Sequence, residues 1–577
     1  MVHDARLGDL RDLADGQTRS FPHLGDHGVV ICRVAGQLYA VADNCSHRDA
    51  KLSEGRLRGS LLTCPLHGAQ FDVRTGAHQG PPASMPIACF GVTEVNGIAW
   101  LHVLSEVGNM PDPSGFPTVD VVATGSARAP GPTLREQLLA DPTPPPWPLL
   151  EQSPLFLGDE DVPFTNYTSP EYAQAEYDHM WSKTWQWACH NDHIPESGDY
   201  YVYDVGPYSA LIVRTADGAI RAYYNACMHR GTQLRSPGTC GFATQLRCPF
   251  HGWTWSLDGE LIDLPDRWDF PHVGEESHRL PQLRVEVFAG FVWVNFDPDA
   301  RPLAQYLGVL PAHFAEFDLE DRYIETHVRK RLPANWKAAT EAFLEAYHVR
   351  ETHASGQLGD EVTTQYDVFA PNISRFVHTT GLDSPQRPVP RTEHQILAHL
   401  TRNLRFGLEP LELPPGVRAR DFYALYVQQE MGEKCGRDFT NLSESITLDS
   451  IEYFAFPNAC FFPGLSLGMV YRFRPDPTSM DHSYFDLLML RPRPLGGDAP
   501  SPPPVVELDV DDSYTLVDGL GGLGRVYDED TVNMAAQTRG FRASRKRGQT
   551  LGNYQEVRAR HLQQRVREFL SGGGFET

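Results

Sequence analysis

Two short stretches of the chain repeat one arrangement of sulfur and imidazole. Cys45-Ser46-His47 is followed, sixteen residues on, by Cys64-Pro65-Leu66-His67-Gly68. Cys227-Met228-His229 is followed, eighteen residues on, by Cys248-Pro249-Phe250-His251-Gly252. Each supplies two thiolates and two imidazoles from two loops that must face each other. A [2Fe–2S] cluster with mixed ligation needs that set, because one iron takes two Cys and the other two His. A Cys and a His one residue apart suit two irons of a cluster. A single tetrahedral zinc more often takes C-x₂₋₄-C spacing, and it is the alternative for a lone quartet. Two copies in strand-rich frames favour the cluster.

A third constellation begins at Asn335-Trp336-Lys337 and continues through Glu345, His348 and His353. On a helix, Glu345 and His348 are three apart and share a face. His348 and His353 are five apart, which at 3.6 residues per turn is about 140° off one face. A helix from about Trp336 to His348 must therefore end or distort after His348 if both imidazoles are to meet one metal. The pattern is not H-E-x-x-H, which disfavours a zinc protease. A facial triad needs one more carboxylate and open positions for O₂. Asp530 in Tyr527-Asp528-Glu529-Asp530 is the candidate, with Asp528 as the alternative. Taken alone, the acidic trio reads as a solvated turn or helix N-terminus, and the two histidines as structural.

Together these motifs carry a resemblance. From about Phe164 to the C-terminus the chain resembles the α subunit of Rieske non-haem iron ring-hydroxylating oxygenases. Residues 1–105 resemble a Rieske ferredoxin of the kind that serves them as a separate protein. The resemblance implies that His348 and His353 bind a catalytic Fe(II). It implies that Asp530, ahead of Gly540-Phe541-Arg542-Ala543-Ser544, completes the triad. It also implies that Glu345, where Asp is commoner in the family, bridges this site to a Rieske histidine of a neighbouring subunit, His251 or His229. The cofactors so implied are two [2Fe–2S] Rieske clusters, held by Cys45, His47, Cys64 and His67 and by Cys227, His229, Cys248 and His251, and one mononuclear Fe(II). Ala69 and Phe71 follow the first ligand loop and Trp253 and Trp255 the second, offering no hydroxyl donor to cluster sulfur. Both potentials are therefore expected toward the low end of the Rieske range, about −150 mV.

The elements that must carry these residues set the domain plan: a multidomain, β-rich α+β chain. Residues 1–105 are a Rieske ferredoxin-like domain, with strands at Val29–Val34, Leu38–Val41 and Ile98–Val103. Residues 106–160 are Pro-rich, and a simple tether is the plain reading. Residues 161–300 form a second Rieske domain, bracketed by strands at Asp199–Tyr203, Ala210–Val213 and Phe291–Phe296. Residues 301–577 form the catalytic domain, an antiparallel, helix-grip-like sheet with helices. Strands are expected at 465–473 and 483–490, an inserted helical segment over 400–445, a loop at Pro502–Pro504 and a helix over 554–570. Gly519-Leu520-Gly521-Gly522-Leu523-Gly524 matches G-x-G-x-x-G without a βαβ frame, so it predicts a mobile loop near the active site and not a nicotinamide site.

At 577 residues, the chain carries a formal net charge of −24, which argues against nucleic acid or an anionic membrane as its partner. No apolar run approaches a membrane span, the N-terminus lacks a signal-peptide core, and ten cysteines are too few for a secreted scaffold. A reducing cytoplasm is the expected location. The expected partners are O₂, an apolar substrate, a separate NAD(P)H-dependent flavin reductase, and copies of the chain in a homotrimer or its multiple, with or without a β subunit. The favoured activity is cis-dihydroxylation of an aromatic or unsaturated small molecule, as in aromatic hydrocarbon catabolism. Monooxygenation or demethylation on the same iron is the alternative. An electron-transfer or binding protein with no catalytic iron is the third reading.

Overall fold

The computed structural model describes residues 2–104, 132–353, 364–383, 390–404, 411–496 and 500–572, apart from single positions 26, 48, 49, 81, 84 and 96. Among the described residues no helix is long and apolar enough to cross a membrane.

The N-terminal part is a six-stranded antiparallel sheet whose edge strand Val2–Asp9 pairs with Ile98–Leu104, beside a three-stranded sheet of Arg56–Arg58, Leu61–Thr63 and Gln70–Asp72. Residues 184–296 repeat the plan. Cys45 follows the strand Gln37–Ala42 as Cys227 follows Ile220–Tyr224. Cys64 lies in the turn between Leu61–Thr63 and Gln70–Asp72, as Cys248 lies between Leu246–Arg247 and Thr254–Trp255. The duplication seen in the motifs is thus a duplication of their scaffold.

The catalytic part rests on one eight-stranded sheet. Its strands are β1 (Arg322–Leu332), β2 (Gln365–Phe369), β3 (Ile373–His378), β4 (Ser450–Ala455), β5 (Ala459–Phe462), β6 (Met469–Asp476), β7 (Ser479–Pro492) and β8 (Val506–Leu508). They run in the order β2-β3-β4-β5-β6-β7-β1-β8, antiparallel except for the β1–β8 edge. Helix α1 (Trp336–Glu341), helix α2 (Leu523–Thr531) and the long helix α3 (Val557–Leu570) cover it. Leu562, Val566 and Phe569 of α3 share a core with Phe454, Phe456 and Phe473 of the sheet side. The strand expected at 465–473 begins four residues late. Pro463 and Gly464 instead turn their carbonyls to the buried Arg322 guanidinium, so the backbone there is a loop. The expected inserted helices lie at Glu393–Leu404, Ala419–Cys435 and Glu444–Leu448.

Two expectations fail. The helix over 336–348 stops at Glu341, and a separate one-turn helix runs from Val349 to Thr352. No Pro or Gly forces the break, and the residues between favour helix, so tertiary bonding overrides propensity. The Leu344 carbonyl accepts from Arg558 on α3 (3.1 Å), and the Ala346 N–H donates to the Tyr366 hydroxyl on β2 (3.0 Å). Nor do the described residues of 106–160 form a simple tether. Leu134, Leu138 and Leu149 are buried against Trp185, Trp187 and Phe461. Asp141 pairs with buried Arg420 (2.8 Å), Glu151 with His313 (2.9 Å), and the Ser153 N–H donates to Asp367 (2.7 Å). Residues 132–153 are a strap laid across the catalytic sheet.

Buried charge fixes the frame of α1. Lys337 pairs with Glu176, which also accepts from Trp336 Nε1 (2.9 Å). Glu341, where α1 ends, accepts from the Tyr167 hydroxyl (2.8 Å) and from Gln549 Nε2 (2.9 Å), and also from Gln563 of α3. Burial pushes the Glu341 carboxyl up to about 7, against these donors. A carboxyl raised on folding contributes stability that is complete below its unfolded value near 4.5 and is lost as pH rises through about 7. Glu341→Gln should therefore remove a decline of up to about 3 kcal/mol between those pH values, read as the wild-type-minus-variant difference in denaturation free energy.

Candidate active site

Helix α2 runs toward the point where the broken α1 segment ends. There Asp530 Oδ1 lies 3.2 Å from His348 Nε2 and 3.1 Å from His353 Nε2. The three ligand atoms all fall within 4.8 Å of one another, as one ion would require. The other nitrogen of each ring is also held by a carboxylate. His348 Nδ1 bonds Glu345 Oε1 at 2.7 Å, and His353 Nδ1 bonds Glu529 Oε2 at 2.9 Å. Carboxylates behind both imidazoles fix the Nδ1–H tautomer and leave both Nε2 atoms facing Asp530.

The break in α1 builds this arrangement. Freed from helix, Glu345 turns back so that Oε2 accepts the His348 backbone N–H (3.0 Å) while Oε1 takes the ring. Glu345 and His348 therefore meet by a local loop, not by sharing a helical face. Asp528 points elsewhere: it accepts from the Tyr514 N–H (2.9 Å) and from Ser513 Oγ, and ties down the preceding turn. The trio 528–530 is neither a solvated turn nor a helix N-terminus. It closes the C-terminal end of α2, with Glu529 only 4% exposed. Glu529 was not among the residues that the sequence pointed to. Its one signal was adjacency to Asp530, roughly 100° around a helix.

Electrostatics bind the cluster of charges together. Burial lowers both imidazoles, but Glu345 and Asp530 outweigh it at His348 and hold its pKa at about 10, and Asp530 and Glu529 hold His353 at about 9. Burial raises Asp530, yet the two histidines keep it below the ordinary carboxylate range. A site that stabilises positive charge between Asp530 and two imidazoles suits a cation carried there in place of protons. Gly519–Gly524 does not form a dinucleotide loop. It is a turn that feeds α2, with Gly519 against Thr326 and Gly524 against the Tyr514 carbonyl.

The two Cys/His quartets are built alike. In each C-P-x-H-G loop the Cys N–H donates five residues on, Cys64 to Ala69 (2.8 Å) and Cys248 to Trp253 (2.8 Å), and the Gly N–H returns to the Cys carbonyl. Gly68 and Gly252 both sit at φ +78°, where a side chain is strained. The imidazole pairs lie at 4.9 Å (His47, His67) and 4.7 Å (His229, His251), each nearly perpendicular. Cys45 beside it, then N–H groups of Leu66 and His67 acting against burial, lower the Cys64 thiol to about 6, toward the thiolate that a metal needs. His229 Nδ1 is buried with no hydrogen-bond partner. Both observations fit residues that hold iron.

Comparison with known proteins adds names to this geometry. A family model described as Rieske [2Fe-2S] domain matches residues 4–91 and again 184–273, and one described as ring hydroxylating alpha subunit (catalytic domain) matches 313–572. The carnitine monooxygenase oxygenase subunit of Escherichia coli K12 is 29% identical over 236 residues, 39% of this chain and 63% of that protein. The large oxygenase component of the naphthalene 1,2-dioxygenase system of Pseudomonas putida is 34% identical over 215 residues, 36% of this chain and 45% of that protein. The matched stretch thus spans less than two thirds of either relative. Among solved structures, a naphthalene 1,2-dioxygenase mutant bound to phenanthrene superposes with TM-score 0.53 at 20% identity, covering 73% of this chain and 94% of that one.

Two substitutions separate the acidic neighbours. Asp530→Ala should leave the protein without a mononuclear metal while both cluster absorption spectra persist. Asp528→Ala should keep that metal and lose on the order of 1–3 kcal/mol of stability. Metal analysis beside thermal denaturation distinguishes them, and the reverse pattern would make Asp528 the ligand.

Proposed function

The chain belongs to the Rieske ring-hydroxylating oxygenases, as a large subunit with a second Rieske domain fused in front, and from that premise we propose that it hydroxylates an aromatic or unsaturated apolar small molecule with O₂. The observation that carries the proposal is the convergence of His348, His353 and Asp530, backed by Glu345 and Glu529, in a chain with two Cys₂His₂ quartets.

In this reading His348, His353 and Asp530 hold Fe(II), and the two quartets hold Rieske clusters. A ferrous ion so held supplies the one-electron chemistry that O₂ needs before it attacks a closed-shell substrate. The remaining work falls to the chain. His348, His353 and Asp530 would hold the iron through three ligand atoms, and an iron with three protein ligands would have positions left for O₂. Glu345 and Glu529 keep the Nδ1 protons in place, so neither ring can turn its ligating nitrogen away. Aromatic side chains behind Asp530, including Phe343, Tyr471, Phe485 and Tyr527, form a packed apolar wall that bars water from that side. Electrons originate from NAD(P)H through a separate flavin reductase, and the working unit is a homotrimer or its multiple.

cis-Dihydroxylation is the first reading, supported by likeness to the naphthalene and biphenyl dioxygenase large components. Likeness to the carnitine monooxygenase oxygenase subunit supports monooxygenation as the second. Turnover under ¹⁸O₂ of a panel holding naphthalene, biphenyl and quaternary amines separates them: two labelled oxygens in the product mean dioxygenation, one means monooxygenation. Substrate-independent O₂ uptake across the panel would remove the oxygenase reading.

Cofactor content is checked independently. The holoprotein should contain roughly four irons and four labile sulfides from its clusters, beside one further iron. His67→Ala and His251→Ala should each abolish one cluster and spare the other, seen as halved sulfide and a simplified EPR spectrum. Zinc without sulfide would replace the cluster reading with a structural-metal one.

A further inference from the structure

His47, an imidazole of the N-terminal quartet, lies against the catalytic domain of its own chain. His47 and Pro82 form one side of a cavity of roughly 10 Å³ whose other side is Thr352, Glu529 and Asn533. That is about the room one water occupies. Across it stands Glu529, whose other attachment is His353 Nδ1 at 2.9 Å. The N-terminal domain therefore meets the Glu529 side of the candidate site with its Cys45–His47 loop.

The rest of the contact has the character of docking. Residues of the N-terminal domain form two cores of their own, around Val30 and Phe71 and around Leu10 and Leu101. Neither core includes a residue beyond 101, and the large cores of the remaining chain begin at Leu134. Two bodies with separate cores thus meet at the His47 loop, as docked domains do. The two carboxylates of the site also differ in what they face. Both oxygens of Glu345 are engaged by His348, whereas Glu529 spans from His353 to the wall shared with His47.

We propose that the N-terminal domain feeds the metal site in cis, docking through its His47 loop on the Glu529 side, so that Glu529 connects its cluster to His353. The inference rests on the iron site proposed above. In each transfer the reduced N-terminal cluster gives up one electron and the ferric mononuclear ion takes it, becoming ferrous. No proton or group need move, and the reductase replaces the electron from NAD(P)H. The rival route passes every electron from the N-terminal cluster through the second Rieske cluster first.

Geometry is tested on the full holoprotein. Pro82→Cys with Asn533→Cys, in a Cys89→Ser, Cys240→Ser background, is treated with a short bismaleimide after mixing ¹⁴N- and ¹⁵N-labelled chains. Linked peptides of uniform isotope, from a band of single-chain mass, are expected. Mixed-isotope links, or none while each single cysteine still labels, would overturn the docking in cis. The electron route is tested without substrate. In Cys248→Ser, which removes the second cluster, one anaerobic equivalent of dithionite should still erase the high-spin ferric EPR signal. Adding Glu529→Gln should slow that loss by about 10–100-fold. A rate in Cys248→Ser no faster than in Cys64→Ser/Cys248→Ser would defeat the direct route. Iron content is measured throughout, so a missing mononuclear iron would count against the proposed site, and a missing crosslink against the docking alone.

Discussion

Two imidazoles and a carboxylate must bring their lone pairs to one point, although His348 and Asp530 stand 182 residues apart. The catalytic half is arranged around that demand. Helix α2 delivers Asp530, and Glu529 beside it, at its C-terminal end, where the helix dipole disfavours negative charge. One condition makes this tolerable: each acid is bonded to a histidine, Asp530 to both His348 and His353 and Glu529 to His353. Taken alone, α2 would favour a cationic terminus. The site reverses that preference, and the surrounding frame has to hold it.

The frame does so with buried ion pairs. Arg558 of α3 pairs with Glu452 of β4 (2.6 Å) and donates to the Leu344 carbonyl, in the segment that leaves α1. Asp486 of β7 gathers Arg329, Arg472 and Arg474, while Arg472 stacks on Trp187 at 3.9 Å and so seats the second Rieske domain on the sheet. Removing one member of such a pair strands its partner in the interior at about 3–5 kcal/mol. The Arg558 contact, with the Ala346 N–H on Tyr366, helps set where the chain leaves helix, and so where His348 ends up.

Motifs with fixed local spacing were legible in the sequence. The quartets, the two histidines and Asp530 are residue types that few environments other than a metal site would assemble together. The sheet was also legible in outline, because alternating apolar runs mark strands. What escaped was set by distant partners. Nothing in 342–348 announces that Arg558 and Tyr366 will draw its backbone out of helix. Nothing in a proline-rich run announces that Asp141 and Glu151 will find Arg420 and His313. Glu529 was hidden by its neighbours, since three acids in a row look interchangeable until a helix turns them in different directions. The two cluster sites also differ in a way that the motifs mask. Trp253 stacks on His229 at 5.0 Å, nearly parallel, where the matching position after the first loop is Ala69.

The strap over 132–153 has one further consequence. Because Leu134, Asp141 and Glu151 pin it to the catalytic sheet, the chain that continues from the N-terminal domain is anchored at a fixed point on the catalytic body. An encounter that would otherwise be bimolecular becomes a property of one molecule, governed by an effective concentration instead of by abundance. A separate ferredoxin is diluted with the cell and competed for by other acceptors. A domain fused to the chain is present at one copy per catalytic domain however dilute the protein becomes.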